Sequence, residues 1–175
     1  MSPKPLDFDE LRPDPKGRRE RISYNRLPIA LLLDRVEDPR NAGALFRLAD
    51  AARLAHIYGY QTGDLSSVKK VQRVARATQL YVPFSGLEKF EEVEKLRAEY
   101  ALVGLDTTAE SLPYTDYSPS GPTLLLIGNE VEGLQPDLLA LAEVCVHVPM
   151  YGMNTSMNVA MATAIVVYGW LAQGW

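Results

Sequence analysis

Hydrophobic residues along the chain fall into short continuous runs that are separated by longer amphipathic segments. The runs "PIALLLDRV", "HIYGY", "LYVPF", "ALVGLD", "TLLLIG" and "VCVHVPM" are bounded by Pro, Gly or charged residues. Uninterrupted apolar runs of this length are typical of strands that are buried on both faces of a parallel sheet. The pattern therefore predicts several parallel strands joined by crossover connections.

The segments between these runs have the spacing of helices. They are "EDPRNAGALFRLADAARL", "SSVKKVQRVARATQ", "GLEKFEEVEKLRAEY" and "PDLLALAE", and a long apolar helix is expected at the end of the chain. Asp38 or Asn41 can cap the first helix, and Asn154, Ser156 or Asn158 can cap the last. Strands that alternate with helices predict an α/β fold with a mostly parallel sheet flanked by helices.

Length and composition predict one domain with a short preceding arm. The chain has 175 residues, of which 47% are hydrophobic, and we expect residues 28–175 to fold as one unit. Residues 1–27 are rich in Pro and Arg and are expected to be a partly ordered basic arm. A single cysteine, no signal-peptide pattern and no membrane-spanning run favour a cytoplasmic protein.

The net charge of −4 excludes a globally basic nucleic-acid-binding protein. Any nucleic-acid surface must therefore be local. The segment "SSVKKVQRVARATQ" is such a candidate, since it contains no acidic residue and Lys69, Arg73 and Arg76 fall on one helical face beside Lys70. The alternative is an ordinary amphipathic helix with a solvated basic face. The predicted RNA-binding residues are these four together with Arg18 and Arg19 of the arm.

Three loops that follow predicted strands carry most of the candidate chemistry, because ligands in α/β sheets bind at the carboxyl ends of strands. They are "DPRNAGALFR", "IGNEVEGL" and "VPMYGMNTSMN". The glycine fingerprint of a dinucleotide site and the P-loop lysine motif are both missing. Taken alone, each loop has a simpler explanation: a helix cap, a solvated glutamate, or a surface pair between Arg47 and Asp50.

Taken in order, the three loops resemble the three motifs of the SpoU/TrmH family of RNA 2'-O-ribose methyltransferases, within the SPOUT superfamily. The resemblance covers roughly residues 28–175. Asn41, Gly43 and Arg47 match the first motif, and "LLLIGNEVEGL" matches the second with Gly128, Glu130 and Gly133. "VPMYGMNTSMNVA" matches the third, although Met157 stands where many relatives have Leu.

The resemblance implies a SPOUT-type domain with a deep C-terminal trefoil knot, which binds S-adenosyl-L-methionine. In this chain, the cofactor loops are expected around residues 105–107, around Gly128, and over residues 148–157. Small residues suit such loops because bulk would block the close approach of backbone groups to the ligand. The residues expected to bind the cofactor are Leu105, Thr107, Gly128, Val148, Met150 and Met157. No metal site is expected.

The family pattern assigns the main catalytic role to Arg47. A guanidinium is always protonated, so we expect it to bind the adjacent phosphate and stabilise the developing alkoxide, and not to act as a base. The remaining residues expected at the catalytic site are Asn41, Glu130, Ser156 and Asn158. The sequence leaves the final proton acceptor open.

The resemblance further implies a homodimer, in which part of the apolar tail helix contacts a second copy. The alternative is a tail helix that packs entirely within one chain. Two rival functions are a non-catalytic RNA-binding or assembly protein with the same fold, and a nucleotide-dependent enzyme on an ordinary doubly wound sheet. Transfer RNA is slightly favoured over ribosomal RNA as the substrate, on the compact size and the short basic arm.

Overall fold

Seven strands form one fully parallel sheet in the computed structural model, which describes residues 26–174. The order across the sheet is β3-β2-β1-β6-β4-β7-β5. The strands are β1 (Leu27–Asp34), β2 (Leu54–Tyr60), β3 (Phe84–Leu87), β4 (Ala101–Leu105), β5 (Leu112–Pro113), β6 (Thr123–Ile127) and β7 (Val144–His147).

Five α-helices cover the two faces of this sheet. They are α1 (Pro39–Ala51), α2 (Lys69–Ala75), α3 (Phe90–Lys95), α4 (Pro136–Leu141) and α5 (Val159–Ala172). Buried residues of α1, α2 and α5 belong to one apolar cluster, and those of α3 and α4 belong to the other. The prediction of an α/β fold with helices on both faces of a parallel sheet is therefore confirmed.

The central strands follow directly from their apolar runs. Residues 29–34 of β1 and all of β6 are buried, and successive side chains enter opposite clusters. A strand with covered faces on both sides has no solvent-facing positions, which explains why the sequence lacks polar alternation there. Because β1, β6, β4 and β7 are parallel neighbours in the sheet, their carboxyl ends lie side by side.

Several predicted boundaries are wrong. The expected strand "LYVPF" begins only at Phe84, after a short 3-10 turn over Thr78–Leu80. Helix α2 ends at Ala75, since Arg76 adopts a left-handed conformation with φ of 51°, so Arg76 does not continue the basic helical face. The helix expected over residues 86–100 is limited to α3 and a following 3-10 turn. The two-residue strand β5 was not predicted.

Two sequence-based expectations stay predictions. The proposed arm over residues 1–27 lies outside the described residues, apart from its last two positions. The trefoil knot is not defined by strand order alone, because the order does not state how the chain is threaded. Within residues 26–174, no helix has both the length and the apolar character required to cross a membrane.

Candidate active site

One open cavity of about 960 Å³ lies at the carboxyl ends of β1, β6, β4 and β7. Its walls come from the ends of these four strands and the segments that follow them, with part of α5. The lining residues are Glu37, Asp38, Asn41, residues 105–107 and 128–133, His147, Val148, Met150, residues 155–159 and Ala162. Neighbouring parallel strands end at the same edge of a sheet, so loops distant in sequence meet there. The three loops singled out by sequence thus enclose a single cavity.

Asn41 joins the three motifs through its amide group. Its Nδ2 donates a hydrogen bond of 2.7 Å to Glu130 Oε1, and its Oδ1 accepts one of 2.9 Å from Asn158 Nδ2. Glu130 Oε1 also accepts a bond of 3.3 Å from the backbone N–H of Asp38. Glu130, Asn41 and Asn158 therefore form a continuous line of hydrogen bonds along the cavity wall.

Helix capping explains how two of the three motifs are held in place. Asp38 caps α1 by accepting a hydrogen bond from the backbone N–H of Arg40, which leaves Asn41 inside the first turn and 7% exposed. Asn158 caps α5 by accepting bonds from the N–H groups of Ala160 and Met161. Since its amide also donates to Asn41, Asn158 is both a helix cap and a cavity residue. The expected alternatives Asn154 and Ser156 are not the cap.

The loop after β6 is folded around Asn129. The Asn129 and Gly133 backbones exchange two hydrogen bonds of 3.0 Å, and Asn129 Oδ1 accepts from the N–H groups of Val131 and Glu132. Asn129 Nδ2 donates to the carbonyl of Arg35 at the end of β1, at 2.9 Å. These bonds hold Glu130, at the turn of the loop, against α1.

The residues that the resemblance assigned to the cofactor lie together. Leu105 is the last residue of β4 and Thr107 follows it, Gly128 follows β6, and Val148, Met150 and Met157 belong to the segment between β7 and α5. All six line the cavity. Ser156, one of the expected catalytic residues, is exposed and lines the same cavity. Their roles stay predictions, but their positions form one site.

Arg47 occupies a different position. It lies six residues beyond Asn41 on α1, is exposed, and is not among the cavity-lining residues. A helix rises about 1.5 Å per residue, so the two positions are about 9 Å apart along the helix axis. Within residues 26–174, the Arg47 side chain makes no hydrogen bond or ion pair that would occupy its guanidinium.

The predicted RNA-binding residues of the described region are separate from the cavity. Lys69, Lys70, Arg73 and Arg76 are all exposed and none of them lines the cavity. Arg18 and Arg19 lie outside the described residues. Helix α2 packs against α1, so its basic side chains lie on the side of the molecule that also presents Arg47.

Acidic residues around the cavity were not selected from the sequence. Glu37, Asp38, Asp106 and Glu132 line it together with Glu130, and no lysine or arginine of the described region does. Hydrogen bonding to the Arg40 guanidinium holds the pKa of the Asp38 carboxyl below its usual value. Asp106 directly follows the run "ALVGL", so its position after a buried strand was the available signal. The cavity is therefore suited to a positively charged ligand.

The fully buried carboxylate of Asp34 links the end of β1 to the loop after β6. It accepts hydrogen bonds from the backbone N–H and the side-chain Nε2 of Gln135, at 2.8 and 2.7 Å. Asp34 also pairs with Arg35, whose guanidinium reaches Glu132 on the loop after β6. Hydrogen bonding to Asp34 raises the pKa of Arg35. The loop is thus attached to the end of β1 by several polar contacts.

Comparison with known proteins identifies the family. A model of the SpoU rRNA Methylase family matches residues 28–168, a range that includes all three motifs and every described wall of the cavity. The chain belongs to this family. Membership confirms the resemblance drawn from the motifs. The cavity lies within the part of the chain that the family model matches.

Two relatives within the family illustrate the range of RNA substrates. The 23S rRNA (guanosine(2553)-2'-O)-methyltransferase RlmP of Bacillus subtilis is 36% identical over 139 residues, covering 79% of this chain and 56% of the relative. The tRNA (guanosine(18)-2'-O)-methyltransferase of Aquifex aeolicus is 28% identical over 158 residues, covering 87% of this chain and 73% of the relative. This chain thus spans little more than half of the first relative.

Solved structures of family members share the fold. The SpoU methyltransferase AviRb of Streptomyces viridochromogenes, in complex with AdoMet, superposes with a TM-score of 0.77 at 29% identity, covering 88% of this chain and 63% of that one. The AdoMet-bound rRNA methyltransferase of Sinorhizobium meliloti gives a TM-score of 0.78 at 27% identity, covering 88% and 60%. The SpoU-type fold of this chain is therefore established.

Proposed function

We propose that this chain transfers a methyl group from S-adenosyl-L-methionine to a ribose 2'-hydroxyl in structured RNA. The observation that carries the proposal is the hydrogen-bonded line from Glu130 through Asn41 to Asn158. This line runs along the wall of the cavity that the expected cofactor residues also line. Residues expected to assist transfer therefore lie beside residues expected to hold the methyl donor.

The cavity suits this cofactor in size and in charge. A volume of about 960 Å³ accommodates a ligand of nucleoside size. S-adenosyl-L-methionine carries a net positive charge and, when bound, supplies a methyl group on a sulfonium that retains the bonding electrons as the methyl leaves. The five carboxylates of the lining, without a lysine or arginine among the described residues, favour such a cation. The expected cofactor residues are Leu105, Thr107, Gly128, Val148, Met150 and Met157.

The reaction requires the 2'-hydroxyl to be held in place and to lose its proton as its oxygen gains the methyl group. We assign stabilisation of the negative charge on that oxygen to Arg47, which is exposed and therefore accessible to RNA. Ser156 and Asn158 are assigned to orienting the ribose or a water molecule. Asn41 fixes Glu130 and Asn158 relative to each other.

RNA is proposed to approach across α1 and α2. Lys69, Lys70 and Arg73 are exposed on α2, which packs against the helix that carries Arg47. Contacts of this kind neutralise phosphates and supply affinity without reading sequence. Transfer RNA remains the favoured substrate from the sequence analysis, and ribosomal RNA is the alternative tested below.

A homodimer is part of the proposal. Met161 and Tyr168 are seven residues apart on α5, so they lie on one face of the helix, and they are 59% and 49% exposed. The preceding segment adds Tyr151 and Met153, which are 96% and 99% exposed. Exposed large apolar side chains of this kind are typical of protein contacts when they lie together in one patch. We also propose a cytoplasmic location, which the single free thiol of Cys145 supports.

The test is a methylation assay with separated RNA pools. Purified protein is incubated with isotope-labelled S-adenosyl-L-methionine and either unmodified transfer RNA or unmodified ribosomal RNA, and modified nucleosides are identified by mass spectrometry. We expect a 2'-O-methylated nucleoside in one pool, with transfer RNA favoured. Tight RNA binding without methyl transfer to either pool would support a non-catalytic RNA-binding protein instead.

A further inference from the structure

Asp106 lies on the cavity wall and hydrogen-bonds to its own loop, to the loop after β6 and to the end of β7. Its Oδ1 accepts a hydrogen bond of 2.7 Å from the N–H of Thr107, within its own loop. Its Oδ2 accepts one of 3.1 Å from the N–H of Leu134, which ends the loop after β6. Its backbone N–H donates one of 3.1 Å to the carbonyl of Val146 on β7, just before the third segment begins.

The strand pairing shows why such a link is required. Leu105 of β4 pairs with Ile127 of β6 at the last position of both strands. Beyond that point the ladder of backbone hydrogen bonds between β4 and β6 ends, and the loops after these strands separate around the cavity. The hydrogen bond from Leu134 N–H to the Asp106 carboxylate connects the two loops there, between residues 28 positions apart in sequence.

Gly133 of the second motif allows this close contact. Its φ is +71°, and a Cβ at this position would lie 2.8 Å from Asp106 Oδ2. Any side chain would therefore be strained in the backbone and would also press against the carboxylate. This observation is independent of the hydrogen bonds, and it indicates that the loop is shaped to receive the Asp106 side chain.

Asp34 provides a useful contrast on the other side of the same loop. Asp34 is the last residue of β1, and it accepts a hydrogen bond from the backbone N–H of Gln135. It is fully buried and does not line the cavity. Asp106 is half-buried and does line it. Of these two carboxylates that flank the loop after β6, only Asp106 thus connects the loop to another wall of the cavity.

We propose that Asp106 is a positioning residue that sets the spacing of the cofactor loops and thereby determines affinity for S-adenosyl-L-methionine. The inference rests on the proposed function, because it assumes that this cavity binds the methyl donor. Its carboxylate acts through Thr107 and Leu134, and it is not assigned a role in proton transfer. Changes at Asp106 should therefore alter cofactor binding without altering contact with RNA.

Asp106→Asn is the direct test. The amide keeps one oxygen acceptor but turns an NH₂ group toward one of the two backbone N–H donors, so one hydrogen bond to the loops is lost. We expect the Kd for S-adenosyl-L-methionine, measured by isothermal titration calorimetry, to rise about tenfold or more. The Kd for RNA in the absence of cofactor, measured by filter binding, should stay within about twofold of the wild-type value.

Asp64→Asn is the matched control. Asp64 likewise accepts a backbone hydrogen bond, from Ser66 N at 3.0 Å, but it lies before a 3-10 turn and does not line the cavity. This variant should bind the cofactor like the wild type. Gly133→Ala should weaken cofactor binding in the same direction as Asp106→Asn, because the new methyl group displaces the carboxylate.

The double variant completes a thermodynamic cycle. If the two residues act through one contact, Asp106→Asn combined with Gly133→Ala should weaken cofactor binding much less than the product of the single effects. Equal cofactor affinity of wild type and Asp106→Asn would overturn the inference. If Asp106→Asn does not fold, the Gly133→Ala variant decides instead: a cofactor affinity equal to that of the wild type would likewise overturn the inference. Failure of the wild-type protein to bind S-adenosyl-L-methionine would instead contradict the proposed function.

Discussion

The Asn41 side chain uses both halves of its amide group, one to donate to Glu130 and the other to accept from Asn158. Among side chains of this size, only an amide offers a donor and an acceptor on one planar group. An aspartate is closest in shape but cannot donate when ionised, and a leucine offers neither atom. The identity of this residue therefore follows from its two opposite partners.

Asn41→Asp should impair methyl transfer without unfolding the protein. The new carboxylate would face Glu130 at the former hydrogen-bond distance of 2.7 Å, and the two negative charges would repel each other. We expect the single-turnover rate to fall by roughly 10-fold to 100-fold, the cost of one broken buried polar contact. A rate equal to that of the wild type would show that the line of hydrogen bonds is not needed for catalysis.

Arg47→Ala should abolish transfer while leaving cofactor affinity nearly intact, because Arg47 does not line the cavity. Loss of one charged group that stabilises a developing anion typically reduces the rate by about 100-fold to 1000-fold. Single-turnover kinetics and calorimetry measure the two quantities separately. Arg97→Ala, which removes an exposed arginine after α3, is the control and should have no effect. Loss of cofactor binding in Arg47→Ala would contradict this role.

At the scale of elements, Gly43 determines how closely α2 approaches α1. A Cβ on Gly43 would lie 2.6 Å from Val74 Cβ and 3.0 Å from the carbonyl oxygen of Val71. Both contacts belong to α2, so the glycine of the first motif lets the basic helix pack directly on the helix that carries Arg47. A residue matched to a catalytic motif thus has a packing role.

Gly43→Ala should therefore shift α2 away from α1. The added methyl group should destabilise the fold by about 1–3 kcal/mol through overpacking and should raise the KM for RNA. Cofactor affinity should change little, since Gly43 does not line the cavity. Thermal unfolding and steady-state kinetics test this, with Ala51→Ser at an exposed position of the same helix as the control. A raised cofactor Kd with unchanged KM for RNA would contradict the explanation.

Reversal of charge on α2 tests the RNA surface. Lys69→Glu combined with Arg73→Glu should weaken RNA binding and reduce the slope of log Kd against log salt by about two, one for each lost phosphate contact. The control combines Lys95→Glu with Arg97→Glu, which reverses two exposed charges at the end of α3 and in the turn after it, on the other side of the sheet. An unchanged slope in the α2 variant would exclude this helix from the RNA interface.

The elements differ in how well the sequence predicts them. β1 and β6 are evident because continuous burial leaves a continuous apolar run. The end of α2 is not, because the amphipathic pattern continues through Arg76 while Arg76 and Ala77 both adopt left-handed conformations. Such conformations are set by packing around the helix end, and neither residue type signals them.

The residues of the site also differ in how well the sequence predicts them. Taken alone, Asn41, Glu130 and Asn158 each have a simpler explanation, and it was the resemblance that assigned them to one site. Asn41 and Asn158 are 117 positions apart in the sequence. The resemblance predicted a cofactor loop over residues 105–107, but it did not single out Asp106 within that loop. Its importance lies in contacts to Leu134 and Val146, which depend on strand order.

The whole molecule separates its charges by function. The chain has a net charge of −4, yet acidic groups line the cavity and basic groups cover the exposed side of α2. A cationic methyl donor and an anionic RNA would otherwise compete for one electrostatic environment. The distribution allows both ligands to be attracted to adjacent parts of one small domain, under the proposed function.

Oligomeric state is the prediction that belongs to this scale. Met161→Asp combined with Tyr168→Asp should convert the proposed dimer to a monomer at micromolar concentration, because two buried apolar contacts would become charged. Sedimentation velocity measures the change. Leu80→Asp is the control, as Leu80 is also a large exposed apolar residue, at 65%, and belongs to the 3-10 turn after α2, not to α5. A wild-type protein that sediments as a monomer at this concentration would contradict the dimer.

The contact between Asn41 and Asn158 also has a consequence for biosynthesis. The ribosome makes α1 long before it makes the cap of α5, and the cavity lacks a wall until residues 148–158 have been added. Chains that stop early therefore keep the first two motifs but lack the residue to which Asn41 bonds. Under the proposed function, a product that stops before Asn158 should lack methyl-transfer activity, because its cavity is incomplete.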